Sequence, residues 1–372
     1  MAIRQNSWPV LGIQGCASFS SMLTDGCDRL SFIEIAGTPY EVGVQLGRHS
    51  MDIVNSYLVR TYAWASVMMF RQDPRMLAAK TLVEARFPRY WQELLGLAAG
   101  LDLPFDEVFA WNCRGDLWAM APDGCTTVQR PGQRPVLAHN EDGHAGLRSR
   151  CTIALIRSAG GKAFSSFVYP ASLPGHSFAV TEAGLVQTVN NIRSLQGGHG
   201  LPRMILTRSV LDCDTIDEAV RLLSGAARAG AFHVSLAQSG DSRLVSVEFT
   251  HAHCSVTTIT QPQCHANHLI HPRRCVEEQV ITESSWARQA RANEIVASLG
   301  PHDLDPLTIL WDRAKPALPV YRDQPDDPDG ENTLATAVFE IATDKVAWRV
   351  YDKRGQPARF GADEGLVPSQ RD

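Results

Sequence analysis

Asp123-Gly124-Cys125-Thr126-Thr127 sets a turn pair, a thiol and two hydroxyls directly ahead of an extended run. A Gly–Cys peptide bond at the mouth of a strand is a bond that a chain can cut in itself. The thiolate adds to the preceding carbonyl, the acyl group moves from nitrogen to sulfur, and water releases a new amino-terminal cysteine. That terminus holds a nucleophilic sulfur together with an α-amine of pKa about 7.7–8, so its base is built in.

Such a nucleophile needs a carboxylate to hold the amine, donors for the tetrahedral oxyanion and a tight turn that strains the cut bond. Val136-Leu137-Ala138-His139-Asn140-Glu141-Asp142 supplies the carboxylate. A strand that starts at Cys125, turns at Arg130-Pro131-Gly132-Gln133 and returns brings Asp142 back to the nucleophile's end, if each strand is about six to eight residues long. Side-chain amides suit the oxyanion because they present N–H dipoles without a titrating charge. Asn190-Asn191 closes the strand Gly184–Val189, and Asn267 follows a β region in Cys264-His265-Ala266-Asn267-His268.

These residues need elements to carry them. Ser31–Ala36 reads as a strand, followed by a helix that Thr38 caps and Pro39 opens. The pattern predicts further helices over Met76–Ala99 and Phe105–Trp118, so the first third is mainly helical. From Cys125 to Val189 short β-prone runs alternate with Gly and Pro turns. Helices return at Pro202–Leu211 and Thr215–Leu223, strands at Phe232–Gln238, Arg243–Phe249 and Cys254–Ile259. A helix over Ser284–Leu299 and a hairpin of Leu334–Ile341 with Lys345–Tyr351 complete the chain. Helices, then many strands, then helices and strands again predict an α+β body of antiparallel sheets covered by helices. The Asp- and Pro-rich run from Arg322 to Gly330 reads as a mobile loop, and Met68-Met69-Phe70 as core or pocket wall.

Composition excludes several classes. The 372 residues carry a net charge of −5, with 44% hydrophobic and 20% charged residues. This is the make-up of an ordinary globular protein and argues against a nucleic-acid binder. No apolar run reaches the roughly 18 residues of a membrane span, and residues 1–30 read as an irregular arm without a secretory signal. Nine cysteines without regular spacing point to reduced thiols and a cytoplasmic setting.

With those residues in place, the chain resembles the cysteine-nucleophile branch of the Ntn hydrolases, specifically the C45 family typified by isopenicillin N acyltransferase. The likeness spans residues 31–352. It rests on Ile33-Glu34-Ile35-Ala36-Gly37-Thr38-Pro39-Tyr40-Glu41-Val42-Gly43, on Asp123-Gly124-Cys125-Thr126-Thr127, on Asn140-Glu141-Asp142, on Thr181-Glu182-Ala183-Gly184-Leu185 leading to Asn191, and on Ala266-Asn267-His268. The resemblance implies a four-layer αββα sandwich in a single domain over 31–352, with a tail at 353–372. It implies self-cleavage between Gly124 and Cys125 into fragments 1–124 and 125–372 that stay associated as a heterodimer. Cys125 would be the nucleophile, Asp142 would orient its amine, and Asn267, with Asn191 by likeness to the choloylglycine hydrolase branch, would hold the oxyanion. Ser285 and Arg288 in the late helix would meet substrate. Glu141 departs from the family, which commonly has an aromatic residue there, and suggests a more polar or cationic substrate side.

The expected activity is hydrolysis of a small linear N-acyl amide through an acyl-thioester, with no cofactor. Acyl transfer from coenzyme A or an amide donor to an amine is the alternative at the same site. A reading from another class is a zinc site built from His251, His253, Cys264 and His265, with the two histidines on one strand face. A non-catalytic relative that keeps the fold is the remaining possibility. The partners expected are a small amide substrate, the chain's own fragments and a homo-oligomeric copy.

Overall fold

The computed structural model describes residues 29–120, 124–272, 277–299, 304–324 and 330–370. Residues 1–28, Asp123, Arg273–Val276 and most of the Asp/Pro run lie outside them. In chain order the elements begin with β1 (Ser31–Gly37), α1 (Pro39–Ser56), α2 (Tyr62–Met68), α3 (Pro74–Arg86), α4 (Pro88–Leu101), α5 (Phe105–Trp111) and α6 (Arg114–Leu117). Next come β2 (Gly124–Arg130), β3 (Val136–His144), β4 (Thr152–Ser158), β5 (Ala163–Val168), β6 (Phe178–Thr181), β7 (Leu185–Asn191), α7 (Arg203–Val210) and α8 (Ile216–Gly225). The rest are β8 (Phe232–Gln238), β9 (Asp241–Phe249), β10 (Cys254–Thr258), β11 (Gln263–His265), α9 (Glu283–Ser298), α10 (Pro306–Leu310), β12 (Glu331–Ile341), β13 (Val346–Tyr351), β14 (Phe360–Ala362) and β15 (Ser369–Gln370).

Local chemistry sets the boundaries. Thr38 closes a capping box with Glu41 and Pro39 fills the first turn of α1. The helix expected over Met76–Ala99 is two helices, because Pro88 has no N–H to donate and holds Phe87 out of helical geometry at φ −133° and ψ 58°. The one expected over Phe105–Trp118 also breaks, at Asn112-Cys113. Met69 is 84% exposed, so it is not core. α1 and α4 pack backbone to backbone: a Cβ on Gly43 would lie 2.0 Å from the Glu93 carbonyl oxygen.

Two sheets form, in the orders β1-β4-β5-β6-β7-β8-β9-β10 and β11-β2-β3-β12-β13-β14-β15. Pairing is antiparallel throughout except between β1 and β4. β14 and β15, beyond Asp352, extend the second sheet. Alternation along the strands sorts side chains between layers. On β6 and β7, Ala179, Leu185 and Val189 join the core under α1–α8, whereas Phe178, Val180 and Val186 face the second sheet. On β3, Leu137 faces the first sheet while Val136 and Ala138 join Ala292, Ile295, Ile309 and Leu310 under α9 and α10. Helix, sheet, sheet, helix is therefore the layer order: an αββα sandwich. No helix among the described residues is long and apolar enough to cross a membrane.

Candidate active site

β2 and β3 form a hairpin in which Gly124 faces Asp142, Cys125 faces Glu141 and Thr127 faces His139. The period of two splits the site into two faces. Cys125, Thr127, His139 and Glu141 point between the sheets; Gly124, Thr126, Asn140 and Asp142 point toward α9 and α10.

On the outer face, Cys125 is held through its backbone. Its N–H donates to Asn267 Oδ1 at 2.9 Å, and its carbonyl oxygen accepts from Arg288 Nη1. Arg288 also donates to Thr126 Oγ1 at 2.9 Å and to Asn267 Oδ1 at 2.7 Å. Burial pulls the Arg288 pKa below the usual arginine range. Thr282 caps α9 and Ser285 follows in its first turn, and the Ser285 hydroxyl accepts the Asn267 N–H at 2.9 Å and bonds His268 Nδ1 at 2.8 Å. Ser285 thus touches Asn267, Arg288 touches both Asn267 and Cys125, and both are buried. Asn267 Nδ2 donates to the Asn191 carbonyl oxygen at 3.1 Å. Its second amide hydrogen has no partner among the described residues. Asn191 enters through its backbone, while its Oδ1 accepts from Arg203 Nη1 at 2.6 Å.

Gly124 sits in a space closed by buried charge. A Cβ there would lie 2.3 Å from Glu331 Oε2, 3.0 Å from Arg322 Nη1 and 3.3 Å from Asp142 Cβ. Only glycine fits. Asp142 Oδ1 accepts from Thr333 Oγ1 at 2.7 Å; its Oδ2 is buried without a hydrogen bond, 3.7 Å from Arg322 Nη1. Arg322 bonds Glu331 at 2.7 Å, and Arg193 lies 3.6 Å from the same carboxylate. Burial raises the Glu331 pKa in spite of both arginines.

On the inner face, Cys125 Sγ lies 3.8 Å from Glu141 Oε2. Glu141 is also bonded by Tyr169 Oη at 2.7 Å, Ser177 Oγ at 2.6 Å and His139 Nε2 at 3.0 Å. Burial lowers the His139 pKa to about 3. Tyr169 then reaches a cleft that it lines with Tyr57, Trp111, Arg114, His144 and Pro170.

The structure brings Gly124, Cys125, Glu141, Asp142, Asn191, Asn267, Ser285 and Arg288 into one connected network. Sequence reasoning missed His139, Tyr169, Ser177, Thr333, Glu331 and Arg193. His139 carried a usable signal, since it stands two residues before Glu141 on one strand and therefore on one face.

The zinc reading is overturned. His251 and His253 lie in the turn between β9 and β10, closed by the Thr250 N–H on the His253 carbonyl, so they share no strand face. On β11, Cys264 faces the α9 core while His265 points the other way, bonded to Glu248 at 2.9 Å and stacked on His233 at 3.5 Å. Among the described residues, the group whose donor atoms approach one another closely enough for a metal ion is Cys125, His139 and Glu141. Thr127 on His139 Nδ1, with Tyr169 and Ser177 on Glu141, closes that set with hydrogen bonds.

Residues 128–355, more than half of the chain, match the model of the acyl-coenzyme A:6-aminopenicillanic acid acyl-transferase family. The chain belongs to that family. The match begins three residues after Cys125. Beta-alanyl-dopamine/carcinine hydrolase of Drosophila melanogaster is 23% identical over 353 residues, covering 84% of this chain and 90% of the relative. Two variant structures of conjugated bile acid hydrolase from Clostridium perfringens are 11% identical, with TM-scores of 0.43 and 0.42, and cover 67% of this chain and 96% and 97% of theirs. The family is thus one of amide hydrolases and acyltransferases, as the resemblance implied.

Proposed function

We propose that the chain is a self-processing amidohydrolase in which Cys125, freed at the Gly124–Cys125 bond, attacks small N-acyl amides and carries the acyl group as a thioester. The observation that carries this reading is the arrangement at Gly124–Cys125. A glycine that admits no side chain precedes a buried cysteine, whose nitrogen faces Asn267 Oδ1 and whose neighbour Asp142 keeps a carboxylate oxygen without a hydrogen bond.

In this mechanism the freed amine of Cys125 keeps its place opposite Asn267 Oδ1, and Asp142 Oδ2 is the acceptor that holds it oriented. The amine takes the thiol proton and sulfur adds to the substrate carbonyl. The second Asn267 amide hydrogen stabilises the oxyanion, a contribution typically worth about 10²–10³ in rate. The amine product leaves protonated, and water resolves the thioester and restores the thiol. The cleft beside Tyr169 is the route by which substrate reaches the sulfur. By analogy with the Drosophila relative, β-alanyl amides are the first substrates to try.

The acyltransferase activity for which the family is named supports a second outcome for the same thioester, capture by an amine in place of water. Amine release from N-acyl amino acids, β-alanyl amines and penicillins, by wild type and Cys125→Ala, tests the reading. Turnover should occur with at least one substrate and vanish in the variant. Equal turnover by both would remove Cys125 from its role.

A further inference from the structure

Self-cleavage poses a problem that later turnovers do not. The Cys125 thiol must lose its proton while its own nitrogen is still an amide, so the built-in amine cannot serve. The inner face of the hairpin supplies an answer, which rests on the self-processing reading above.

Hydrogen-bond directions around His139 can be assigned by elimination. Asn190 Nδ2 donates to the His265 carbonyl oxygen at 3.0 Å, which fixes the amide and leaves Asn190 Oδ1 as an acceptor. Thr127 Oγ1, 2.7 Å away, must donate to that oxygen. A hydroxyl has one proton, so Thr127 can only accept from His139 Nδ1 at 2.8 Å. His139 therefore carries its proton on Nδ1 and, when neutral, presents a lone pair at Nε2. Yet Nε2 lies 3.0 Å from Glu141 Oε2, an acceptor when ionised. Two bare acceptors do not sit at that distance in a buried site, so a proton lies between them, on the carboxyl or on the imidazole.

We propose that His139 and Glu141 form a single proton-holding pair that takes the Cys125 thiol proton during self-cleavage. Burial disfavours the imidazolium, so the shared proton rests on Glu141 and passes to His139 as Glu141 Oε2 takes the proton of Sγ, 3.8 Å away. The charge left is a thiolate balanced by an imidazolium. Sγ then bonds to the Gly124 carbonyl carbon; the proton on Glu141 passes to the Cys125 nitrogen, and the C–N bond breaks. Water hydrolyses the resulting Gly124 thioester to a carboxylate; one of its protons returns to sulfur and the other goes to the freed Cys125 amine, which becomes an ammonium. Atoms and charge balance with water as the only co-reactant.

The surroundings suit the task. Tyr169 and Ser177 stabilise the ionised form of Glu141 by donating to it, and Phe178 presses on the His139 ring. The titratable groups around the pair are Cys125, Asp142 on the opposite face of β3, Cys151 ahead of β4, and Tyr169 with His176 against its ring. From β8, His233 reaches it through Asn190.

The test is cell-free translation of the full chain, with the appearance of the fragment starting at Cys125 followed by mass between pH 7 and pH 9. The wild-type rate should vary less than about threefold across that range, because the acceptor is internal. A tenfold rise per pH unit would mean that bulk hydroxide makes the thiolate, and would overturn the proposal. Glu141→Gln and His139→Gln should each slow cutting at pH 7 by roughly 10²-fold, the low end of general-base effects, and Glu141→Gln should recover at least tenfold at pH 9. Wild-type rates in both variants would overturn it, as would a folded Glu141→Gln chain that stays uncut at both pH values. If Glu141→Gln does not fold, the wild-type profile and His139→Gln decide. A wild type that never cuts overturns the parent reading; a cutting wild type with an unimpaired Glu141→Gln overturns this inference alone.

Discussion

Gly124→Ala is the substitution whose cost the structure determines most closely. Gly124 has no positive φ, so alanine can adopt its backbone and any penalty comes from space. The new methyl would meet Glu331 Oε2 at 2.3 Å and Arg322 Nη1 at 3.0 Å. Neither partner is a loose surface side chain: both are buried and bonded to each other at 2.7 Å. To make room, the pair must lengthen or β2 must lift from Asp142. Overpacking costs about 1–3 kcal/mol, and opening a buried ion pair about 3–5 kcal/mol if it is lost outright. Lower unfolded-state entropy returns about 0.4–1 kcal/mol. With the pair opened outright, the net loss is about 2–4.6 kcal/mol. Urea unfolding of Cys125→Ala with and without the added Gly124→Ala change measures it directly, because no cutting can intervene in that background. A difference below about 0.5 kcal/mol, the scatter of neutral substitutions, would show that the crowding at Gly124 is not real, and the explanation for glycine there would fall with it.

Asp142→Asn should slow amine release by about 10²-fold in kcat, because an amide no longer offers the freed amine a charged acceptor; an unchanged rate would remove Asp142 from the site. Asp116 is buried with one oxygen unpaired, and burial raises its pKa to about 6. Its folded value thus exceeds the ordinary carboxyl value of about 3.9, so the unfolded state releases its proton first. Asp116 should therefore cost stability as pH rises from about 4 to 6, on the order of 2–3 kcal/mol at about 1.36 kcal/mol per unit. Wild-type stability relative to Asp116→Asn, measured by denaturation, should fall over that window, and a flat difference would contradict the assignment. Dialysis against a chelator should leave amine release unchanged, and lost activity restored by zinc would reopen a metal role for the Cys125, His139 and Glu141 group.

The sequence made the hairpin legible because its signals are local. Pro131-Gly132 marks the turn, and equal arms on either side put Asp142 opposite Gly124. Cap chemistry at Thr38 likewise located α1. Pro88 was equally visible and should have divided the long helix, but its apolar pattern continues across the break. What stayed hidden depends on contacts between distant segments. Nothing near Gly124 announces that Glu331 and Arg322 close over it from far along the chain. Nor does Tyr169 carry a local sign that its hydroxyl meets Glu141. His251 and His253 misled for the opposite reason: their spacing suits a strand, but the chain turns there.

The central claim concerns one peptide bond, and the intact mass of the purified, active wild-type protein tests it most directly. The account requires two associated chains, the larger beginning at Cys125. A single continuous chain, fully active with the Gly124–Cys125 bond still closed, would contradict it.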